Sequence, residues 1–507
     1  MYSDRDFDIK EAVLPGSADL VRDLELETLF RAMAAEDKLL YEVAKTSILA
    51  SLRDPQAILY RQHILSDCLE SPEIVREMYG ISVDALEGER KVWGWMSDRY
   101  PEGTLRRCIQ VLRLLMELLK KLRLIAEEKG FRFRSEGFKR LFGMLAVELN
   151  DDYLGTVERQ LQQLEFRSGI LMSAELGKGN AGINYVLHRQ PEVKRSWLER
   201  LRGYIEQVTG RNGSPYFYEI ADRDEAGFNA LREIREQAVC NVSTALAQST
   251  DHILGFFTML RLELGFYIGC LNLRDPLSRK NEPICIPEPL AGGKPIFSCR
   301  GLYDVCLSLN MKDRVVGNDV AGDDKALLMI TGANRGGKST FLRSAGLAQL
   351  MMQCGMFVPA ESFHANVCNG IFTHFKREED AAMKSGKLDE ELSRMRSITD
   401  STTPNSLVLL NESFASTNER EGSEIARQIV RALLDSGIKV FYVTHLFDLA
   451  KSFHDAKVSS SLFLRAERLA DGVRTFRLVE GEPLPTSYGE DLYKRIFFER
   501  GSGSTAA

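Results

Sequence analysis

Residues 328–341 read LMITGANRGGKSTF. An aliphatic segment runs into glycines and then into Lys-Ser-Thr. Gly332 to Ser339, GANRGGKS, fits G-x-x-x-x-G-K-[ST], with a strand predicted before it and a helix from about Lys338 after it. The chemistry needs those residue types in that order. Glycines let successive backbone N–H groups turn inward around a phosphate, an approach that side chains would block. The next helix aims its positive end at the same anion. Lys338 neutralises the β- and γ-phosphates, and the Ser339 hydroxyl takes a place on Mg2+. The stretch therefore predicts that Gly332, Ala333, Asn334, Arg335, Gly336, Gly337, Lys338, Ser339 and Thr340 hold ATP with Mg2+. The competing reading is a glycine-rich turn with no ligand.

Further along, SLVLLNES at 406–413 delivers Asn411 and Glu412 at the end of an apolar strand, where open α/β sheets bind ligands. The usual residue at the first of these positions is Asp, which holds the magnesium shell. Asn411 is neutral and binds metal less strongly. Glu412 is the candidate general base, polarising a water in line with the γ-phosphate. KVFYVTH at 439–445 ends in His445, placed to sense the γ-phosphate or the attacking water, or else to cap its strand. Around these motifs strands and helices alternate: KALLMI, IFTHF at 371–375, helices near 388–399 and 419–436, then SLFLRAERL and TFRLVEG as an antiparallel edge pair. That alternation predicts an α/β domain with a largely parallel, buried sheet.

The front of the chain has another texture. From about Asp19 to Leu273 the pattern is helical, and between Thr104 and Glu128 the residues Leu105, Cys108, Ile109, Leu112, Leu115, Met116, Leu119, Leu122 and Ile125 draw one stripe. The run from Glu219 to Leu273 has no proline and predicts a single helix of about 50 residues, on the order of 70 Å at about 1.5 Å per residue. Such a rod suits a lever between distant sites. SGILMSAELGKGNAGINYVLH at 168–188 reads strand, turn, strand. The Pro- and Gly-rich run RDPLSRKNEPICIPEPLAGGKP at 274–295 marks a boundary. The expected domains are a helical core of 1–273 with a small hairpin insertion at about 165–190, an α/β domain of 274–500, and a flexible tail at 501–507.

The bulk numbers agree. At roughly 150 residues per domain, the prior is about three domains. The net charge of −6 argues against a surface coated in nucleic-acid-binding charge without excluding a local basic groove. Nine cysteines without a CxxC pair suit a reduced, cytoplasmic chain. The start, MYSDRDFDIKEA, has no apolar core after its charges, and no apolar run is seen to approach 18 residues, so neither a signal peptide nor a membrane span is expected.

TGANRGGKSTFLRSAGLAQLMMQCGMFVPAE at 331–361 resembles the nucleotide-binding loop and adjoining helix of the MutS mismatch-repair ATPases, which run T-G-P-N-M-G-G-K-S-T and later G-x-x-V-P-A. The motifs C-terminal to it keep the family's order. IFTHF is similar to the family's I-F-T-R strand. NESFASTNEREG sits where the family has D-E-x-G-x-G-T-x-x-x-[DE]-G, VTH matches A-T-H, and TSYG at 486–489 resembles K-S-Y-G. The helical half resembles the family's lever domain by pattern rather than motif. The resemblance implies a helical core or lever domain with a clamp-like hairpin, leading into an ABC-type P-loop ATPase domain. It implies ATP hydrolysis to ADP and phosphate, and head-to-tail dimers, most simply homodimers. In these each subunit's signature segment, here Thr417, Asn418 and Gly422, reaches the other's nucleotide. It further implies that Asn334 lies near the γ-phosphate, that Val316 and Asn318 hold the adenine, and that double-stranded DNA, mismatched, damaged or branched, is the partner.

Departures from the family are equally specific. Asn418 stands for the signature serine and Asn411 for the metal-shell Asp. The family's full-length members carry an N-terminal mismatch reader and a connector, whereas this sequence begins almost at the levers. Phe217-Tyr218-Glu219 matches the reader's Phe-x-Glu wedge in letters but leads into the long helix, where packing is the simpler role. KGFRFRSEGFKRLF at 129–142 could touch a nucleic-acid backbone, or pack its phenylalanines inward and solvate its charges. Three functions stay open: a DNA-acting ATPase, an ATP-driven switch on a protein or ribonucleoprotein, and a nucleotide-binding scaffold with little turnover. A small-molecule kinase ranks behind them.

Overall fold

The computed structural model describes residues 1–484 except 12–13, 15, 94–99, 167–168, 181, 189–219, 221–222, 378–385, 458–459 and 470–472. Phe217-Tyr218-Glu219, TSYG at 486–489 and the tail lie outside the described residues. By packing, the chain forms two units. One comprises Met1–Arg76, Arg132–Lys139 and Leu262–Ala507, the other Glu77–Phe131 and Arg140–Arg261. The helical first 76 residues thus group with the α/β part.

The second of these units is mainly helical. Helix Pro101–Lys129 opens on a proline, tolerated there because the first N–H groups of a helix have no partner to lose. Its stripe of Leu105, Ile109 and Leu112 packs with Leu161 and Val239. Strands β1 (Leu171–Leu176) and β2 (Gly182–His188) pair antiparallel. The long helix runs from Glu225 to Arg279, 55 residues, and belongs to this unit up to Arg261 and to the other from Leu262. It continues through Pro276, beyond the end at Leu273 expected from the sequence. A proline near a helix end removes only one rung of the ladder, so tertiary packing can carry the helix past it. One 18-residue window of this helix has mean hydropathy 1.4, long and apolar enough to cross a membrane by length and composition, a test that the core helix of a protein also passes. Half of that window is buried within the protein.

In the first unit the chain builds two sheets. The smaller contains β3 (Glu288–Leu290), β4 (Phe297–Leu302), β5 (Asn318–Ala321) and β7 (Ser362–Asn366), in the order β3-β7-β4-β5. The larger contains β6 (Leu327–Gly332), β8 (Ile371–Phe375), β9 (Leu407–Asn411), β10 (Lys439–Val443), β11 (Ser461–Arg468) and β12 (Arg474–Glu480), in the order β12-β11-β6-β10-β9-β8. From β11 to β8 every pairing is parallel, and β12 closes the edge antiparallel. Leu327, Met329, Val408, Leu410, Val440 and Tyr442 are all buried in one core, each large aliphatic adding roughly 1.5–3 kcal/mol of burial. Burial on both faces explains why these strands read as unbroken apolar runs. The register places Val443 beside both Ile330 and Asn411. The carboxyl ends of β6, β10 and β9 therefore finish side by side.

Candidate functional site

The loop after β6 is shaped by three glycines. Gly332 has φ 106° and Gly337 φ 90°, both in the left-handed region open to glycine. A Cβ on Gly336 would stand 2.8 Å from Ala466 Cβ and 2.9 Å from the Ala333 oxygen, so only glycine lets the loop lie this close to β11. Gly337 starts helix Lys338–Gln353 with no side chain capping it and no acidic residue in the first turn. That end carries the positive pole of the helix, a setting that suits an anion. The Lys338 ammonium is buried and donates to the oxygens of Gly332 at 2.8 Å and Ala333 at 3.0 Å. Burial pushes its pKa down, while the charge of Glu412 pulls it up.

On one side of the loop Ser339 Oγ donates to Asn411 Oδ1 at 2.9 Å. Both residues line a polar cavity of about 620 Å³ with Thr340, Arg343, Arg377 and Asp23. Arg343 pairs with Asp304 and Glu25, which anchors the helix behind the loop.

On the other side Glu412 N–H donates to the Val443 oxygen at 2.8 Å. Its carboxylate stands 4.0 Å from His445 Nδ1, with both side chains about one third exposed. Glu412, His445, Asn334, Thr444 and Glu419 line a cavity of about 350 Å³. The register of β9 and β10 brings together residues separated by 33 positions in the chain (445 − 412).

Val316 and Asn318 line a third cavity, about 330 Å³, with Arg335, Gly337, Thr340 and Phe476. The Asn318 amide is already engaged. Its Oδ1 accepts from Leu478 N–H at 2.7 Å and its Nδ2 donates to the Phe476 oxygen at 3.4 Å. It ties β5 to β12 and so sets Phe476, which has φ 61°. Sequence reasoning missed Phe476, since within TFRLVEG nothing separates it from an ordinary strand residue.

Thr417, Asn418 and Gly422 lie together at the start of helix Glu419–Asp435. Asn418 Oδ1 accepts from Glu421 N–H at 3.0 Å, and Glu421 Oε2 accepts from Thr417 at 2.5 Å and from Asn418 at 3.1 Å. That arrangement is a helix cap. A Cβ on Gly422 would meet the Phe414 oxygen at 2.4 Å, so the helix approaches the turn after Glu412 only because this residue is glycine. In KGFRFRSEGFKRLF, Phe133, Phe138 and Phe142 are buried while Phe131 is 80% exposed.

A model of the MutS2 N-terminal domain matches residues 53–280, and a model of MutS domain V matches residues 328–498. Among similar curated proteins is a DNA mismatch repair protein MutS of Clostridium botulinum, 28% identical over 355 residues, 62% of this chain and 38% of that protein. One of Thermotoga neapolitana is 37% identical over 190 residues, 37% of this chain and 24% of that protein. One of Protochlamydia amoebophila is 25% identical over 335 residues, 64% of this chain and 37% of that protein. The chain thus spans well under half the length of the curated relatives it matches.

Proposed function

Because the chain belongs to the MutS family, we propose that it binds ATP at the Gly332–Thr340 loop, hydrolyses it to ADP and phosphate, and couples the nucleotide state to movement of its helical part. One observation carries the reading: the register of β6, β10 and β9 sets the loop, Asn411–Glu412 and His445 side by side. The residues fit the ligand. Gly336 leaves room that a Cβ would fill, and the buried Lys338 holds its charge against loop carbonyls, which it would exchange for phosphate oxygens. Ser339 and Asn411 would hold Mg2+, whose chemistry here is to neutralise charge on the phosphates. Glu412 orients and deprotonates the attacking water, and His445 hydrogen-bonds at the γ-phosphate side with Asn334. Phe476 and Val316 offer apolar surface to the base.

The proposed assembly is a dimer in which Thr417, Asn418 and Gly422 face the partner's nucleotide. The proposed lever is the helix Glu225–Arg279, and the hairpin β1–β2 is its clamp-like appendage. The relatives' name, DNA mismatch repair protein, supports double-stranded DNA as the partner. Nine free thiols support a reducing, cytoplasmic setting. Asn411, neutral where the family has a carboxylate, favours a second reading as a nucleotide-binding scaffold with little turnover. Sedimentation of the full chain with Mg·ATP, with and without duplex or branched DNA, tests the assembly. ATP-dependent dimers and DNA affinity that falls with salt support it. A monomer under all conditions removes the dimer, and binding to no DNA at low salt leaves a protein or ribonucleoprotein as the partner.

A further inference from the structure

The turn that carries Glu412 is strained. Glu412 has φ 51° and Phe414 φ 63°, two non-glycine residues in the left-handed region on either side of Ser413. Such a conformation is unfavourable for a residue with a Cβ and persists only where surrounding contacts hold it. One of those contacts comes from β8. His374 is fully buried, and its Nδ1 lies 2.7 Å from Ser413 Oγ. The imidazole also stacks on Phe414, with centroids 5.4 Å apart and planes 20° apart. Its Nε2 lies 3.0 Å from the Glu391 carbonyl oxygen. A carbonyl only accepts, so the proton sits on Nε2 and Nδ1 can only accept; the single Ser413 hydroxyl proton is shared between that Nδ1 and the His374 carbonyl oxygen, each 2.7 Å from Ser413 Oγ. The Glu391 carboxylate in turn accepts from Ser416 Oγ at 3.0 Å, one residue before Thr417. The family's I-F-T-R strand has arginine where this chain has His374.

We propose that His374 is a positioning residue that fixes the strained turn bearing Glu412 and joins it, through Glu391, to the segment containing Ser416 and Thr417. One side chain then sets both the direction of the general base and the face offered to a second subunit. Tyr442 supports the same turn from β10, its hydroxyl donating to the Ser413 oxygen at 2.7 Å. The proposal rests on the ATPase reading for its consequence, but its geometry can be tested without turnover.

The test compares the full chain with His374→Phe, which keeps an aromatic ring on Phe414 and removes both hydrogen bonds, and with Ser413→Ala, which removes one hydroxyl. Amide hydrogen exchange is expected to rise about tenfold over residues 411–418 in both variants, with β6 and β10 unchanged. The kcat for ATP is expected to fall about tenfold with KM held within about twofold. Unchanged exchange over 411–418, or a rise in KM at unchanged kcat, overturns the proposal. If the wild-type chain and Glu412→Ala turn over ATP equally, the ATPase reading fails, and the exchange measurement still decides whether His374 holds the turn. If His374→Phe does not fold, Ser413→Ala alone decides.

Discussion

Ser339 Oγ donates to Asn411 Oδ1 across 2.9 Å, joining the first turn of the loop helix to the carboxyl end of β9. The side chain at 411 thus points its amide oxygen where a carboxylate would put a full negative charge. Position and donor type suit a metal shell, while the charge is missing.

Asn411→Asp restores that charge. The variant is expected to need about tenfold less Mg2+ for half-maximal ATP binding, equivalent to ~1.4 kcal/mol, and to turn over ATP faster. Titration of Mg2+ at fixed ATP checks this. An unchanged or weaker Mg2+ requirement means that Asn411 does not face the metal.

Asn318→Ala orphans the buried Leu478 N–H that Asn318 Oδ1 now accepts from. The expected cost is about 1–3 kcal/mol of stability, read as a lowered thermal midpoint. Nucleotide affinity should fall with it, because β12 would no longer hold Phe476 against the cavity beside the loop. Loss of stability with unchanged nucleotide affinity would separate Phe476 from the base.

Burial pushes the His374 pKa from 6.5 to about 4, and Arg394 and Arg377 push the same way, while the Glu391 carbonyl pulls it up. The folded pKa is depressed, so below about pH 6.5 the unfolded chain takes up a proton that the folded chain refuses. The stability from neutral His374 is complete above that pH and is lost as pH falls through about 4, a change of about 3 kcal/mol. Thermal midpoints from pH 7 to 4 should therefore fall more steeply in the wild-type chain than in His374→Phe. Parallel profiles would show that His374 titrates normally.

Much of the α/β part is legible in the sequence for a physical reason. Strands β6, β9 and β10 are buried on both faces, so they leave unbroken apolar runs, and the loop after β6 is a local motif whose glycines announce its shape. The smaller sheet is not legible. Its β3 spans three residues and pairs with β7 in a register that sets Glu288 beside His364, more than seventy positions away (364 − 288 = 76), so its evidence lies in a partner that no local pattern names. Phe476 and His374 are hidden for the same reason. Each reads as an ordinary strand residue until β5 and β9 are placed beside it. Helical texture likewise does not say that the first 76 residues pack with the α/β part.

The central claim is that Glu412 activates water against ATP held by the Gly332–Thr340 loop. Steady-state turnover of Mg·ATP by the full chain and by Glu412→Ala, with ATP affinity measured on both, tests it most directly. The expected result is a fall in turnover of about 100-fold or more with ATP affinity kept within about threefold. Equal turnover in the two proteins would contradict the account.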